Sequence, residues 1–151
     1  MQVEDIMTRV VFTCDAHADL ECVARVMWDH DCGYVPIVDE GGQLAGVVTD
    51  RDVAMAAYLH GRNLREIAIK EVMSRPVHSC RPTASVELAH QIMRSAEIRR
   101  LPVVDQNDKL IGLVTWSDLF AAAQRETSAS AAAALTKQVI ETLEATTTHT
   151  A

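Results

Sequence analysis

The sequence predicts an α+β fold made of two β-α-β-β-α repeats and a C-terminal helix. The first observation is an internal repeat: a shift of 66 residues places residues 5–54 on residues 71–120 without a gap. The phrase LAGVVTDRD is thereby matched by LIGLVTWSD, and Pro, Gly, Thr and Asp stay in register. The second observation is that helical and β-type apolar patterns alternate within each copy. Two copies of one small unit therefore make up most of the chain.

Each repeat opens with a short β-rich run and an amphipathic helix. In the first copy the β-rich run is 10–13. Leu20, Val23 and Met27 follow at the spacing of one helix face. The second copy has the same kind of spacing from Val86 onward, so one helix is predicted here in each repeat.

A β-hairpin and a second helix complete each repeat. Two apolar runs flank the segment Asp-Glu-Gly-Gly in the first copy, and Asp and Gly are typical of tight hairpin turns. Pro36 and Pro102 lie near the start of a strand, where a missing N–H is tolerated at a sheet edge. The predicted segments are hairpin strands at 34–38 and 44–49, a second turn at 105–108, and helices at 50–59 and 116–124.

The domain organisation follows from the size of the repeat. A unit of about 55 residues buries too little apolar surface to be stable alone, so the two copies are expected to pack sheet on sheet and share a core. After them, an Ala-rich helix carries an apolar stripe formed by Leu135, Val139, Ile140 and Leu143, and its end is expected to fray from Thr146. The predicted boundaries are 1–61 for the first repeat, 62–68 for a polar linker, 69–125 for the second repeat and 126–151 for the helix and tail.

Composition narrows the classes of function. A net charge of −7 disfavours binding to a nucleic-acid backbone. No apolar run approaches the roughly 18 residues that a membrane span needs, and no secretory signal pattern is visible, so a cytoplasmic protein is expected. The four cysteines, Cys14, Cys22, Cys32 and Cys80, form no C-x-x-C motif and predict no zinc site. Buried free thiols are expected, with a thiol switch at Cys14 and Cys80 as the alternative.

Thr49 and Thr115 lie where a predicted strand ends and a helix begins. The free backbone N–H groups and the helix dipole at such a junction can seat a phosphate. Asp52 and Asp118, three residues on, are placed to accept hydrogen bonds from the hydroxyls of a ribose. The alternative is a capping box, in which Thr and Asp satisfy the first N–H groups of the helix and bind no ligand.

The motifs DIMTR and EVMSR are each followed by a helix, a strand containing Pro, and Gly-x-x-Thr-x-x-Asp. This pattern resembles the cystathionine-β-synthase (CBS) domain, present here as a tandem pair. Gly46 and Gly112 are expected to allow close approach of the backbone to a ligand. The resemblance implies a Bateman module of the free-standing bacterial type, with two repeats related by a pseudo-twofold axis and two clefts.

Modules of this kind commonly bind adenosyl ligands, and AMP, ADP or ATP is the expected class here, with S-adenosylmethionine or NAD as further candidates. They often form homodimers and regulate a separate protein rather than catalyse a reaction. In each cleft the resemblance combines Thr and Asp of one repeat with the segment that opens the hairpin of the other. One cleft would take Thr49, Arg51 and Asp52 with Ile98, Arg99 and Arg100. The other would take Thr115, Ser117 and Asp118 with Cys32, Gly33 and Tyr34, and the loops 16–18 and 82–84 would approach the base.

The two expected clefts differ in charge. The first gathers three arginines, whose planar guanidinium groups suit phosphate, so phosphorylated adenosine is expected there. Because alternation along a strand sends Arg99 and Arg100 to opposite faces, one of the two is expected to reach the ligand. The second cleft offers Ser117, with Tyr34 and Trp116 as stacking surfaces, and suits a ligand of lower charge or none.

Two other functional classes, an enzyme and an interaction scaffold, are alternatives to ligand sensing. The sequence has no P-loop, no Gly-x-Gly-x-x-Gly, no nucleophile–base pair and no metal-type spacing, so an enzyme is not expected. An interaction scaffold stays open as the alternative. In that case the clefts stay empty, and the repeats and the C-terminal helix serve dimerisation or docking on a partner.

Overall fold

The computed structural model describes residues 1–125 and 129–147, and its mixture of helices and strands confirms the α+β fold. Short 3-10 turns precede the repeats at Val3–Asp5, Leu64–Glu66 and Ile69–Glu71. In chain order, the strands and helices are β1 (Cys14–Asp15), α1 (Leu20–Asp29), β2 (Tyr34–Val38), β3 (Leu44–Thr49), α2 (Asp50–His60), α3 (Val86–Ser95), β4 (Arg100–Val104), β5 (Leu110–Thr115), α4 (Trp116–Arg125) and α5 (Ala129–Thr147).

The chain divides into two compact units, each built around one repeat. The first unit consists of Val10–Val77 and Asn107–Leu110. The second unit consists of Met1–Arg9, His78–Gln106 and the described part of Ile111–Ala151. The units therefore do not follow the repeat in sequence, because the opening nine residues of the first repeat belong to the second unit.

The segment that opens each repeat is bonded to the other repeat. In the second unit the Val3 N–H donates to the Ala84 carbonyl at 2.9 Å, and the Val3 side chain is fully buried. In the first unit the Ile69 N–H donates to the Ala18 carbonyl at 3.1 Å. Ile67, in the stretch predicted as a polar linker, is also fully buried, so this end of the stretch is part of the core of the first unit.

In the first unit β1 pairs with β2 in parallel and β2 pairs with β3 in antiparallel fashion. In the second unit β4 and β5 form the hairpin, and Cys80 makes an isolated parallel bridge to Val103 at the place of a first strand. The first strand was predicted at 10–13, and this position is wrong. Val10 is 73% exposed, and pairing with β2 begins only at Cys14, so β propensity without a partner strand makes no strand.

The predicted edge position of the prolines is also wrong in the first unit, because Pro36 lies in the central strand β2. The second unit shows how a sheet accommodates such a proline. The Cys80 N–H donates to the Pro102 carbonyl, and the Val104 N–H donates to the Cys80 carbonyl, both at 3.0 Å. The bridge to Cys80 thus uses the carbonyl of Pro102 and needs no N–H group from this proline.

The two hairpins share backbone geometry at equivalent positions. Gly42 and Asp108, which are 66 residues apart, both adopt left-handed conformations, with φ of 78° and 60°. Asp31 and Glu97, also 66 residues apart, do the same just before β2 and β4, with φ of 49° and 54°. The repeat in sequence is therefore a repeat in backbone conformation, and the predicted hairpins and their turns are confirmed.

The buried hydrophobic residues form two clusters, one within each unit, rather than the single shared core expected from the sequence. Helix α5 adds Val139 to the cluster of the second unit, and Leu135 and Leu143 pack against it. Ile140, the fourth member of the predicted stripe, is 50% exposed because it is turned away from the face that carries Val139. Thr146 and Thr147 still belong to α5, and the rest of the tail predicted to fray lies outside the described residues.

Candidate ligand-binding site

Thr49 ends β3 and is the N-cap residue of α2. Its hydroxyl donates to Asp52 Oδ2 at 2.7 Å, and its backbone N–H donates to the same oxygen at 2.8 Å. In return the Asp52 N–H donates to Thr49 Oγ1 at 3.2 Å. These bonds form a capping box, so the alternative weighed for this motif is present in the structure.

The start of α4 in the second unit has the same arrangement. Thr115 donates from its hydroxyl to Asp118 Oδ2 at 2.8 Å and from its backbone N–H at 2.7 Å. The Asp118 N–H donates to Thr115 Oγ1 at 3.4 Å. In both units all the bonds from threonine end at one oxygen of the aspartate, Oδ2. Each cap is worth about 1 kcal/mol to the fold.

Each cap lies beside the segment that opens the hairpin of its own unit. In the first unit the Asp50 N–H donates to the Gly33 carbonyl at 3.2 Å. In the second unit the Trp116 N–H donates to the Arg99 carbonyl at 3.1 Å. A Cβ atom on Gly33 would lie 2.7 Å from Asp50 Oδ2, so glycine makes room for this carboxylate. Sequence reasoning missed Asp50 as a neighbour of the candidate site.

Arg99 is held by the carboxyl end of α5. Its Nε donates to Thr146 Oγ1 at 3.0 Å, and its Nη2 donates to the Thr146 carbonyl at 3.3 Å and to Thr147 Oγ1 at 3.4 Å. A guanidinium is favoured here because carbonyl groups and the negative end of the helix dipole meet at this end of a helix. Nothing in the sequence pattern indicates this contact, since α5 lies outside the repeat.

The other predicted residues fall into two groups by exposure. Exposed side chains are in contact with solvent, whereas half-buried ones also contribute to the packing of their unit. The exposed residues are Arg51, Arg99, Arg100 and Ser117. The half-buried residues are Thr49, Asp52, Ile98, Thr115, Asp118, Cys32, Gly33 and Tyr34. The structure brings together the members that share a unit, and the combination of residues from both units in one cleft stays a prediction.

Gly46 and Gly112, at equivalent positions of the two repeats, each make room for a methionine side chain. A Cβ atom on Gly46 would lie 2.5 Å from the Sδ atom of Met73, and one on Gly112 would lie 2.6 Å from that of Met7. Both methionines are more than nine-tenths buried. The Met and Gly identities of the two repeats thus form an equivalent contact in each unit, and the approach of a ligand at these glycines stays a prediction.

Two buried cysteines and one aspartate have shifted pKa values. Burial raises the pKa of the Cys80 thiol to about 11. Burial also raises the pKa of the Cys14 thiol, and its contact with Cys22 raises it further. At the end of β1, hydrogen bonds from the backbone and ring of His17 lower the pKa of Asp15. Within residues 1–125 and 129–147, no three His, Cys, Asp or Glu side chains converge as a metal site.

The sequence profile of the CBS domain matches residues 3–58 and 69–125. The chain belongs to the CBS domain family. It is 40% identical over 134 residues to the CBS domain-containing protein YhcV of Bacillus subtilis, a match that covers 89% of this chain and 92% of YhcV. The crystal structure of the CBS domain pair of protein MJ0100, in complex with 5′-methylthioadenosine and S-adenosyl-L-methionine, superposes with a TM-score of 0.72. That pair is 28% identical, and the match covers 81% of this chain and 94% of that one.

Some relatives of this CBS pair carry the names of enzymes. The homoserine O-acetyltransferase of Methanohalobium evestigatum is 33% identical over 117 residues, which are 78% of this chain but 23% of the enzyme. More than three quarters of that enzyme thus has no counterpart in the match. Among the described helices of this CBS pair, none combines the length and the hydrophobicity needed to cross a membrane.

Proposed function

We propose that this CBS pair binds an adenosyl ligand and, through it, regulates a separate protein in the cytoplasm as a homodimer without catalysing a reaction. The observation that carries the proposal is the strand–helix junction found twice in the same geometry. At each junction an N-terminal helix end, a threonine and an aspartate stand next to the segment that opens a hairpin. The relative MJ0100 binds 5′-methylthioadenosine and S-adenosyl-L-methionine, which are both adenosyl compounds.

The geometry of the caps is compatible with a ligand. Both bonds from Thr49 end at Asp52 Oδ2, and both from Thr115 end at Asp118 Oδ2. We therefore assign the recognition of the ribose hydroxyls to the other carboxylate oxygen, Oδ1, of each aspartate. The caps hold each carboxylate in place before a ligand arrives, and preorganisation of this kind lowers the entropy lost on binding.

The arginines favour a ligand that carries phosphate. We propose that the cleft with Thr49, Arg51 and Asp52 also uses Ile98, Arg99 and Arg100, and that it binds AMP, ADP or ATP. Arg51 and Arg99 are both exposed, so an anion from solution can reach their guanidinium groups. The second cleft, with Thr115, Ser117 and Asp118 and with Cys32, Gly33 and Tyr34, would take a ligand of lower charge.

Isothermal titration calorimetry tests the proposal with AMP, ADP, ATP, S-adenosylmethionine, 5′-methylthioadenosine and NAD. We expect Arg99→Ala to weaken ATP binding roughly tenfold or more, because a hydrogen bond to a charged group contributes about 1.5–3 kcal/mol. Binding of 5′-methylthioadenosine, which carries no phosphate, should change by less than about twofold. Arg65→Ala is the matched control, because Arg65 is an exposed arginine that pairs with Glu21 in the first unit.

A second function, a scaffold that binds no ligand, is favoured by one observation: the capping bonds alone account for both threonine–aspartate pairs. Thermal melting separates the two functions. A ligand at 100 times its Kd stabilises the folded protein by about 2.7 kcal/mol, which raises the melting temperature measurably. If none of the six compounds gives heat in calorimetry or shifts the melting temperature, the sensor function is wrong and the scaffold remains.

A further inference from the structure

Two cysteine sulfurs are in direct contact in the first unit. The Sγ atoms of Cys14 and Cys22 lie 2.8 Å apart, with either thiol as the donor. Cys14 is 2% exposed, whereas Cys22 is partly exposed. Both thiols are free in the structure. Sequence reasoning paired Cys14 with its repeat equivalent Cys80 and missed Cys22, whose repeat equivalent is Leu88.

The fold holds both ends of this contact. Cys14 is in β1, where it pairs with Ile37 of β2. Cys22 is in the first turn of α1, and its N–H donates to the side chain of the N-cap residue Asp19 at 3.1 Å. The two sulfurs therefore meet because a strand and a capped helix place them together, at a distance about 0.8 Å longer than a disulfide bond.

The two thiols differ in access. Cys22 is the partly exposed one, so an oxidant dissolved in water reaches its sulfur first. Cys14 is the buried one, and burial together with the Cys22 contact raises its pKa, so it keeps its proton longer. Such a pair suits attack by the accessible sulfur first and by the buried sulfur second.

We propose that Cys14 and Cys22 are a reversible disulfide site, oxidised by a low-molecular-weight disulfide of the glutathione class. In the first step Cys22 gives its proton to water and its sulfur attacks one sulfur of the oxidant, whose S–S bond breaks and releases one thiolate. In the second step Cys14 gives its proton to that thiolate and attacks Cys22 Sγ. The S–S bond of the mixed disulfide breaks, and the second thiolate that leaves takes up a proton from water. The pair loses two electrons and two protons, and the oxidant is reduced to two thiols. A dithiol reverses the reaction.

Mass spectrometry of the full chain tests this site. The reduced protein is treated with glutathione disulfide, unfolded and alkylated with iodoacetamide. We expect the number of alkylated cysteines to fall from the four free thiols to two, with a loss of about 2 Da from the pair of hydrogens removed. Trypsin releases both cysteines in one peptide, residues 10–25, which should carry that loss and no alkyl group. Further cleavage after Glu21 should leave its two parts joined.

Matched variants show whether the pair is specific. After oxidation, Cys22→Ser should have all of its remaining cysteines alkylated, whereas Cys32→Ser and Cys80→Ser should each still lose the pair. Circular dichroism checks that each variant is folded. The proposal is overturned if wild-type protein stays fully alkylated, if glutathione stays attached to Cys22, or if the link forms to Cys32 or Cys80. Ligand binding plays no part in these measurements, so they are independent of the proposed function.

Discussion

At the scale of single residues, one side chain serves both the fold and the candidate site. Asp52 and Asp118 each use Oδ2 to cap a helix, which leaves Oδ1 as the oxygen assigned to a ribose. Removal of either carboxylate therefore changes stability and binding together. Replacement by asparagine keeps an oxygen at similar geometry and separates the two effects better than alanine does.

Gly46→Ala should destabilise the protein by about 1–3 kcal/mol, because the new Cβ atom would overlap a buried methionine. That atom would lie 2.5 Å from Met73 Sδ and 3.1 Å from Met73 Cβ, so a change of rotamer alone does not relieve the overlap. Urea unfolding measures the loss. Gly41→Ala is the control, because Gly41 is exposed and is expected to change stability by less than about 0.5 kcal/mol.

The double variant Gly46→Ala/Met73→Ala checks the cause of that loss. If the overlap with methionine is responsible, the double variant should lose less stability than the sum of the two single variants, since the shorter side chain gives the new Cβ atom room. Additive losses would contradict the assigned contact.

At the scale of elements, the apolar pattern of α5 predicted its buried face in part. Leu135, Val139 and Leu143 are spaced by four residues and face the core of the second unit. The apolar side chain of Ile140 places it in the predicted stripe, but in the structure it is half exposed. A hydropathy pattern on an Ala-rich helix leaves the width of the buried face open, and the helices that pack against it determine which residues are covered.

Val139→Ala should lower the free energy of unfolding by about 1–2 kcal/mol, because Val139 is 2% exposed and loses buried methyl groups. Ile140→Ala on the next position should change it by less than about 0.5 kcal/mol. Equilibrium urea unfolding compares the two. Equal losses from both variants would show that α5 packs differently from the structure described above.

The carboxyl end of α5 should compete with a phosphate ligand for Arg99. Removal of both hydroxyls in Thr146→Ala/Thr147→Ala leaves only the backbone bond to this arginine. We expect ATP to bind roughly fivefold more tightly, because Arg99 no longer has to give up a hydrogen bond to a threonine hydroxyl, which is worth about 1 kcal/mol. Calorimetry measures the change, and Thr136→Ala on the same helix is the control. Weaker or unchanged ATP binding would argue against competition for Arg99.

At the scale of the whole molecule, each unit is completed by the segment that opens the other repeat. Val3 and Met7 belong to the core of the second unit, and Ile69 and Met73 belong to that of the first. Val3→Ala should therefore raise deuterium uptake in peptides of α3 and β4 more than in peptides of α1 and β2. Val10→Ala, at a position that is 73% exposed, is the control. Greater uptake in α1 and β2 would contradict the assignment of Val3.

The repeat, the hairpins and the helix starts could be predicted from the sequence, because they depend on local patterns that occur twice. The contacts between distant segments could not be predicted from it. The meeting of Cys14 with Cys22, of Gly46 with Met73 and of Arg99 with Thr146 is decided by tertiary packing. The placement of the opening nine residues is of the same kind, since nothing in their composition indicates which repeat they join.

This exchange of segments has a consequence for synthesis on the ribosome. All the buried residues in the cluster of the first unit lie between Cys14 and Met73, so that core is complete before most of the second repeat has emerged. Val3 and Met7 are made earlier still, yet the cluster they enter extends to Val139. Domains tend to fold in the order in which they are translated. Val3 and Met7 therefore find their native places late, although they are translated before both cores, and they remain exposed on the nascent chain until the second repeat follows them.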